Sequence, residues 1–446
     1  MSDAQSSLRR IFANMLHLMS GKAVAGILSL AYIALAARML GVAEYGVLNL
    51  VHGYAVFVGG VVAFSGFHAV VSYGADALKK SENGQKGQHQ RLHNLIRLMA
   101  LVELGMAILA IAIAVFLVPL AGAKMGWSAP ALQFGPLYCL AIFATVRATP
   151  QGMLQLAGRF DLIGLHQAVM PLARFVGVLF IWFTGGGLTA FLWVWLVSSL
   201  AEGVSMWIMA YFAMRKMDLD KAGATTLSNV REDNPGLIKF MAVTNFDITL
   251  RELAPRATPL IIGWILGPAA TGLYTLVQRA TMILYQPAQM LGQAGYSVFA
   301  KAIAAGDLKD AEHSVRRSVM ITLAISAAIA AVFAVFGRQI LTIMGGAEFA
   351  SGGVLLFLGA AGRALLSGTP TFSSAITALG RPGDSARAGL IVNLGTLPIL
   401  PPLLWWLGVN GAGWHIIMQS AILAVLLGLA FRTSMIKAKS VRLSDQ

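Results

Sequence analysis

Long apolar runs alternate with short polar connections along the chain, and most runs are long enough to cross a bilayer. Taking about twenty apolar residues per span, the pattern predicts twelve helices, at residues 18–37, 47–72, 98–120, 132–154, 165–184, 188–213, 237–266, 270–298, 317–336, 352–378, 387–407 and 410–431. An even number of spans places both chain ends on the same side of the membrane. The pattern therefore predicts an all-α, multi-pass membrane protein.

Composition supports this prediction. The chain is 57% hydrophobic and 12% charged, with a mean hydropathy of +0.73, whereas about a quarter of the residues of a soluble domain are charged. Its one cysteine, Cys139, excludes an intramolecular disulfide and a thiolate metal site. The histidines show no metal-ligand spacing, and no phosphate-binding loop is present. We therefore predict no metal and no cofactor.

The basic residues predict the topology. Of the 33 Lys and Arg, 25 fall at the chain ends and the even-numbered connections, whereas only Arg38, Lys124 and Arg338 fall on the opposite side. Cytoplasmic connections of membrane proteins carry the excess of positive charge. We therefore expect both termini in the cytoplasm of a bacterium, with the chain in its inner membrane. The formal charge of +14 then reflects topology and does not indicate nucleic-acid binding.

A segment of twelve residues occurs twice. Residues 40–51 and 266–277 share six identical positions at an offset of 226, and each copy begins a turn between two apolar runs. The Leu-Gly-Arg turn at residues 379–381 repeats an Ala-Gly-Arg turn at 157–159, at an offset of 222. Two matches at nearly equal offsets indicate a duplicated unit. We predict an N-terminal lobe at 1–220, a cytoplasmic linker at 221–236 and a C-terminal lobe at 237–446.

The same motifs carry a family resemblance. Ser-Gly-Lys at residues 20–22, the turn at 37–46 (Ala-Arg-Met-Leu-Gly-Val-Ala-Glu-Tyr-Gly), Gly66 and the turn at 379–381 are similar to those of Wzx-type polysaccharide flippases. These belong to the multidrug/oligosaccharidyl-lipid/polysaccharide exporter superfamily. The resemblance implies a V-shaped, two-lobed, alternating-access transporter that is not an enzyme. Its implied cargo is a polyprenyl-diphosphate-linked oligosaccharide, and its implied partners are membrane lipids and polysaccharide polymerase machinery.

Five arginines lie nine or more residues from either end of a predicted span: Arg174, Arg251, Arg256, Arg279 and Arg363. An arginine at the centre of a bilayer costs about 2.5–3.5 kcal/mol on insertion scales, so these side chains are expected to face a watery cavity. A guanidinium donates two parallel hydrogen bonds to a phosphate and remains charged. We therefore predict that they bind the diphosphate. The alternative is that they only pair with neighbouring acids.

Four embedded carboxylates are candidates for coupling transport to a proton or sodium gradient: Asp247, Glu252, Glu103 and Glu202. Asp247 and Glu252 each lie four residues before an arginine, which is the spacing of an ion pair within a helix. For Glu103 and Glu202 the alternative is pairing with arginines such as Arg174.

Pro255 and Pro259 interrupt the hydrogen-bond pattern of the seventh predicted helix. A bent helix beside charged groups predicts a gate there, with ordinary membrane-helix kinks as the alternative.

Two other functions remain open. A multidrug or cation antiporter of the same superfamily is expected to have acids in its cavity, but predicted helices one and two hold none, and only Glu44 lies in the turn between them. A membrane-bound glycosyltransferase or ligase needs a sizeable outer loop. The predicted outer connections are only about a dozen residues long, which disfavours that class.

Overall fold

The structure of the protein, a computed structural model, describes residues 3–85, 87–215 and 230–444, with side chains left undescribed at 3–24, 283, 294 and 441–444. Throughout these ranges the regular structure is helical and no strand occurs. The all-α prediction is therefore confirmed. Most of the predicted linker, at 221–229, lies outside the described residues.

The chain forms two compact units. The first contains residues 1–39 and 50–253, and the second contains residues 40–49 and 254–446. The division falls inside one long helix rather than in the predicted linker, and a ten-residue segment near the N-terminus is counted with the second unit. The predicted boundaries of the two duplicated lobes stay a prediction.

The first unit is built from helices α1 to α8, with part of α9. Their bounds are α1 (Asp3–Val62), α2 (Phe67–Glu82), α3 (Gln88–Lys124), α4 (Ala129–Tyr138), α5 (Ala148–Leu156), α6 (Phe160–Thr184), α7 (Leu188–Arg215), α8 (Val230–Asp233) and α9 (Leu237–Leu266), with a 3₁₀ turn at Cys139–Thr145. Its apolar core is formed mainly by α2, α3, α5 and α7, where Leu95, Met99 and Leu154 are fully buried.

The second unit contains the rest of α9 and helices α10 to α16. Their bounds are α10 (Pro268–Ala305), α11 (Leu308–Gly345), α12 (Gly353–Leu366), α13 (Thr369–Ala378), α14 (Pro382–Thr396), α15 (Leu400–Leu407) and α16 (Asn410–Ser444), with 3₁₀ turns at Ala347–Gly352 and Leu397–Ile399. Helix α10 packs against α12 and α13, and α16 packs against α12. The buried side chains of Leu284, Ala360 and Ala364 join α10 to α12.

Every predicted span coincides with helical structure, but four of them are broken. The breaks lie at residues 63–66, 139–147, 367–368 and 397–399. Within the described residues, nine helical stretches are long and apolar enough to cross a membrane. One of these, at 25–62, contains most of the first two predicted spans, and α9 and α10 are not among the nine.

The duplicated turn has the same backbone conformation in both copies. Gly41 has φ 72° and ψ 175°, and Gly267 has φ 82° and ψ −175°. A side chain is strained at such positive φ angles, so glycine is needed in both copies. The two copies also pack against each other within the second unit. A Cβ atom built on Gly46 would overlap the carbonyl oxygen of Pro268, and one built on Gly272 would overlap that of Val42.

Gly46 and Gly272 are equivalent positions of the repeat, and so are Val42 and Pro268, since each pair is 226 residues apart. The packing is therefore reciprocal: the glycine of each copy lies against the equivalent carbonyl of the other copy. The same segment also receives an acidic side chain from the second unit. The backbone N–H of Val42 donates to Oε2 of Glu348 at 2.9 Å. The repeat is therefore a packing element of the second unit.

Candidate functional site

Arg174 is a buried cation surrounded by neutral groups. It lies on α6 with 3% of its surface exposed, and its guanidinium donates to Ser198 Oγ at 3.2 Å and to His52 Nε2 at 3.4 Å. The Trp195 ring lies 4.8 Å from Cζ, and the Tyr32 ring lies 5.8 Å away. Within the described part of the chain no ion pair with a carboxylate involves Arg174. Cation–π contacts and hydroxyl dipoles therefore take the place of a counter-ion.

Arg174 also fixes the protonation of His52. A guanidinium has no acceptor, so Nε2 of His52 must accept and its proton must sit on Nδ1. Nδ1 then donates to the hydroxyl oxygen of Tyr138 at 2.8 Å. The imidazole is therefore the neutral tautomer. The cluster is closed in this conformation, and a substrate contact by Arg174 stays a prediction that requires it to open.

Helix α9 holds four of the predicted charged residues, of which Asp247, Arg251 and Glu252 belong to the first unit and Arg256 to the second. Asp247 and Arg251 form the predicted ion pair, with Nε 2.8 Å from Oδ2, and their side chains are 47% and 42% exposed. Glu252 is exposed and Arg256 is partly exposed, and both have an interaction partner. The spacing argument thus found a real pair. A ligand contact by Arg251 or Arg256 stays a prediction.

Glu103 caps two helices that begin inside the membrane region. Its Oε1 accepts from the backbone N–H of Gly66 at 2.7 Å, at the start of α2. The same oxygen accepts from the N–H and hydroxyl of Thr149 at 2.9 and 2.8 Å, at the start of α5. Oε2 is buried and has no partner among the described residues. Glu103 therefore joins two helix breaks through backbone donors.

The partner of Glu202 is not Arg174, the arginine named in the sequence-based alternative. It forms an ion pair with Arg147, which lies in the break before α5. The backbone carbonyl of Glu202 accepts from Nε2 of His166 at 2.9 Å. Glu202 therefore pairs with an arginine, as the alternative expected, but with Arg147 and not with Arg174. Glu103 accepts from neutral donors and forms no pair with Arg174. Both carboxylates instead hold the broken segment between α4 and α5.

The two prolines predicted to form a gate lie in an unbroken helix. Helix α9 runs from Leu237 to Leu266 through Pro255 and Pro259. The breaks in the described chain occur in other helices. A gating role of the prolines stays a prediction.

The second unit holds the last two predicted arginines and a cavity that the sequence did not indicate. Arg279 is exposed on α10, whereas Arg363 is partly buried on α12, with Cζ 5.9 Å from the centre of the Tyr285 ring. Tyr285 also lines a cavity of about 340 Å³ between α10, α13, α14 and α16. Ligand pockets commonly have volumes of about 300–1,000 Å³. The cavity is therefore large enough for a small ligand.

The lining of this cavity is polar but uncharged. Gln289 and Gln293 line one side, and Thr369, Ser373, Ser374 and Ser385 contribute hydroxyls at the start of α13 and α14. Among the described residues, neither glutamine amide has a hydrogen-bond partner. The lining contains no carboxylate and no cation. Such a surface suits a neutral ligand with many hydroxyl groups, since it offers both donors and acceptors.

One sequence signal could have located this cavity. Tyr285, Gln289 and Gln293 are each four residues apart, so they share one face of α10. Polar residues that recur at this spacing in an apolar run mark a face turned away from lipid. Charged residues do not mark this face of α10, because its polar side chains are neutral.

Comparisons with known proteins agree with this architecture. Residues 11–303 match the family described as Polysaccharide biosynthesis protein, and residues 254–400 match the family MatE. Inner membrane protein YghQ of Escherichia coli (strain K12) is 27% identical over 293 residues, which cover 66% of this chain and 81% of that protein.

Solved structures show the same fold over nearly the whole chain. The lipid II flippase MurJ, in an inward closed conformation, matches with a TM-score of 0.69 and 14% identity, covering 96% of this chain and 93% of that chain. An inward-facing multidrug resistance MATE family transporter of the MOP superfamily matches with a TM-score of 0.66 and 16% identity, covering 94% and 95%.

Fold and family matches together define a multi-pass membrane protein of the transporter or flippase class within the MOP superfamily. The chain belongs to the polysaccharide biosynthesis protein family, whose match covers more than half of its length. The predicted superfamily, and the predicted all-α fold of about twelve membrane helices in two lobes, are thereby confirmed.

Proposed function

We propose that the protein flips a polyprenyl-diphosphate-linked oligosaccharide from the cytoplasmic to the outer leaflet for surface polysaccharide assembly. The observation that carries this proposal is the uncharged polar cavity of the second unit, with Arg363 stacked on its Tyr285. A saccharide needs neutral hydrogen-bonding groups and a diphosphate needs a cation. The two chemistries are adjacent here, because Arg363 lies against Tyr285, which lines the cavity.

The energetics favour such a pairing. An uncompensated diphosphate in hydrocarbon costs tens of kcal/mol in the Born limit, so a carrier must supply cations along the path of the head group. Arg363, Arg279 and Arg256 are the candidates in the second unit, and Arg251 and Arg174 are the candidates in the first. Arg174 is closed in the present conformation. We therefore propose Arg363 as the first contact of the phosphate.

The cation antiporter is the alternative supported by the MATE similarities. A site for cations needs carboxylates, and the lining of the polar cavity contains none. That lining therefore favours the flippase. A glycosyltransferase or ligase has no support from the family and fold matches.

We further propose that transport is coupled to a proton or sodium gradient through one of the four carboxylates. Asp247 pairs with Arg251, and Glu202 pairs with Arg147. Glu103 accepts only from neutral donors and is 2% exposed. Because no cation pairs with it in the described structure, Glu103 is the first candidate for reversible proton binding. Asp247, Glu252 and Glu202 follow.

Three further assignments are part of this proposal. Both termini lie in the cytoplasm, with the chain in a bacterial inner membrane, as the distribution of basic residues predicts. Pro255 and Pro259 are proposed to bend α9 during transport. Polysaccharide polymerase machinery is proposed to receive the flipped product.

The test is a deletion strain complemented by variants. Deletion is expected to trap lipid-linked oligosaccharide in the cytoplasmic leaflet and to abolish surface glycan. Arg363→Ala and the double variant Gln289→Leu/Gln293→Leu are expected to reproduce the block at normal protein level. Arg338→Ala and Gln133→Leu serve as matched controls, since neither residue lines the cavity, and Arg338, unlike Arg363, is not placed over the ring of a lining residue. Both are expected to restore surface glycan.

Two outcomes contradict the proposal. Normal surface glycan in the deletion strain would exclude the flippase function. The antiporter would be supported instead if the protein exported a cationic dye along an ion gradient and the Glu103→Gln variant lost this export while surface glycan was unaffected.

A further inference from the structure

A second groove lies between the start of α11 and the end of α16, apart from the polar cavity. It encloses about 450 Å³. Its floor is apolar, because Val315, Val319 and Met435 are almost fully buried there. The rings of Phe372 and Phe431 contribute to the lining, with centroids 5.8 Å apart. The groove thus has an apolar floor lined partly by aromatic rings.

The rim of the groove is basic. Arg316, Arg432 and Lys439 line it together with one acid, Glu312. Lys439 is neutralised by Glu312, since Nζ lies 2.8 Å from Oε2. Arg316 and Arg432 are exposed, and neither has an ion-pair or hydrogen-bond partner among the described residues. Two positive charges without a partner therefore remain among the side chains that line a mainly apolar groove.

We propose that this groove is a binding site for an anionic glycerophospholipid, with the phosphate held by Arg316 and Arg432 and an acyl chain lying on the apolar floor. The argument is charge complementarity, because a zwitterionic head group leaves the two positive charges uncompensated. The distribution of basic residues predicts that this end of the helices lies at the cytoplasmic leaflet, whose surface is negative. The site is independent of the proposed transport function.

The experiment uses the purified full-length protein in a neutral detergent. Phosphatidylglycerol and phosphatidylcholine with identical acyl chains are added separately, and bound lipid is measured by native mass spectrometry and by the shift in unfolding temperature. Phosphatidylglycerol is expected to bind more tightly. Arg316→Gln and Arg432→Gln are each expected to weaken phosphatidylglycerol binding about fivefold. Phosphatidylcholine binding is expected to weaken less, because its choline already offsets the charge of its phosphate.

Two further variants separate this site from general surface charge. Arg317→Gln makes the same charge change at the next residue, which is exposed but does not line the groove, and it is expected to bind as the wild type. Met320→Trp places a larger side chain in the groove and is expected to weaken the binding of both lipids. Met320 is 52% exposed, so the larger side chain does not disturb the core.

Three results would overturn the inference. Unchanged phosphatidylglycerol binding in both Arg316→Gln and Arg432→Gln would exclude the phosphate contact. An equal loss in Arg317→Gln would show that the effect is general surface charge. Undecaprenyl phosphate that displaces phosphatidylglycerol at a much lower concentration, with the same dependence on Arg316 and Arg432, would make the polyprenyl carrier the occupant.

Discussion

Arg174 shows how a single buried charge can be tolerated without a counter-ion. Two of its neighbours keep a hydrogen-bond partner without it, because the hydroxyls of Ser198 and Ser199 both donate to the backbone carbonyl of Trp195, at 3.0 and 2.8 Å. Of the contacts described above, only Nε2 of His52 would lose its hydrogen-bond donor. Replacing a buried ion pair by apolar side chains of similar volume is often neutral, or stabilising by about 1–4 kcal/mol, because the cost of desolvating charge is removed. Removing Arg174 leaves no carboxylate unpaired among the described residues, so we expect it to be dispensable for folding.

We accordingly expect Arg174→Met to unfold at the wild-type temperature or above it, and to fail in surface-glycan complementation. Thermal unfolding in detergent and a glycan assay measure the two properties separately. The charge has no part in transport if the variant complements fully, and it is structural if the variant unfolds at a clearly lower temperature.

Glu103 is the opposite case, because its neighbours depend on it. Removing its side chain leaves the N–H of Gly66, and the N–H and hydroxyl of Thr149, without their acceptor. An unsatisfied buried donor costs about 1–3 kcal/mol. We expect Glu103→Ala to lower the free energy of unfolding by several kcal/mol. Glu103→Gln retains an acceptor oxygen and is expected to remain near the wild type.

Thermal or denaturant unfolding of the two variants side by side tests this expectation. Equal stability of Glu103→Ala and the wild type would show that water replaces the carboxylate.

At the residue scale, the sequence located the charged groups but not all their partners. The pair of Asp247 and Arg251 followed from helical spacing alone. The partners of Glu202 and Glu103 are 55 and 46 residues away in the chain, at Arg147 and Thr149. Such contacts depend on tertiary packing, which spacing within one helix does not reveal.

At the scale of elements, hydropathy located the helices well but not their breaks. The seventh predicted span, 237–266, coincides with α9. The breaks are invisible to hydropathy because polar side chains from other helices satisfy their backbone groups. Asn245 on α9 accepts from the N–H of Ser65 at 2.6 Å and donates to its carbonyl at 3.2 Å. Apolar composition thus continues through a break whose hydrogen bonds are supplied elsewhere.

The short helix α8 is attached to the first unit by a small polar cluster. Asn234 is buried, accepts from Nε of Arg91 at 3.0 Å and donates to the carbonyl of Val230 at 2.9 Å. Arg91 also donates to Asp76 at 3.0 Å. Hydrogen bonds from Lys80, and then from Arg91, hold the pKa of Asp76 below its ordinary value.

A pH-dependent difference between two variants follows. The pKa of the Asp76 carboxyl is lower in the folded protein than in the unfolded chain. The ionised carboxylate therefore stabilises the fold fully above its ordinary pKa, and this stabilisation is lost as the pH falls through the lower pKa of the folded state. Asp76→Asn is expected to cost less than about 1 kcal/mol near neutral pH, since the carboxylate is 44% exposed. Its effect is expected to vanish in acid.

Asn234→Ala is the comparison variant, and it is expected to cost more than Asp76→Asn at every pH because it removes buried hydrogen bonds. Unfolding curves recorded over a pH series measure both. A larger cost for Asp76→Asn would contradict this ranking.

At the scale of the whole molecule, the duplication is visible in backbone geometry as well as in sequence. The second repeated turn closes in the same way in both copies. Arg159 N–H donates to the Leu154 carbonyl at 3.0 Å, and Arg381 N–H donates to the Ile376 carbonyl at 3.1 Å. What was not predictable is that residues 40–49 are counted with the second unit. Sequence similarity shows that two segments are alike, but not that they touch.

The contact between the two copies depends on the absence of side chains at Gly46 and Gly272. A side chain added at either glycine would place its Cβ atom against a backbone carbonyl. A backbone atom cannot move away by a change of rotamer. Overpacking of this kind costs typically about 1–3 kcal/mol, and occasionally more. We expect Gly46→Ala and Gly272→Ala to lower the unfolding temperature by similar amounts, since the two contacts are reciprocal.

Gly105→Ala is the matched control, because Gly105 lies inside α3 and a Cβ atom added there would meet no atom beyond its own helix within 4 Å. Alanine is favoured over glycine in a helix interior by about 0.5–1 kcal/mol, so this variant is expected to be slightly more stable than the wild type. A rise in unfolding temperature for Gly105→Ala, together with a fall for Gly46→Ala and Gly272→Ala, would establish the contact between the two repeats. If the unfolding temperatures of Gly46→Ala and Gly272→Ala both change as that of Gly105→Ala does, the two repeats are separated in solution.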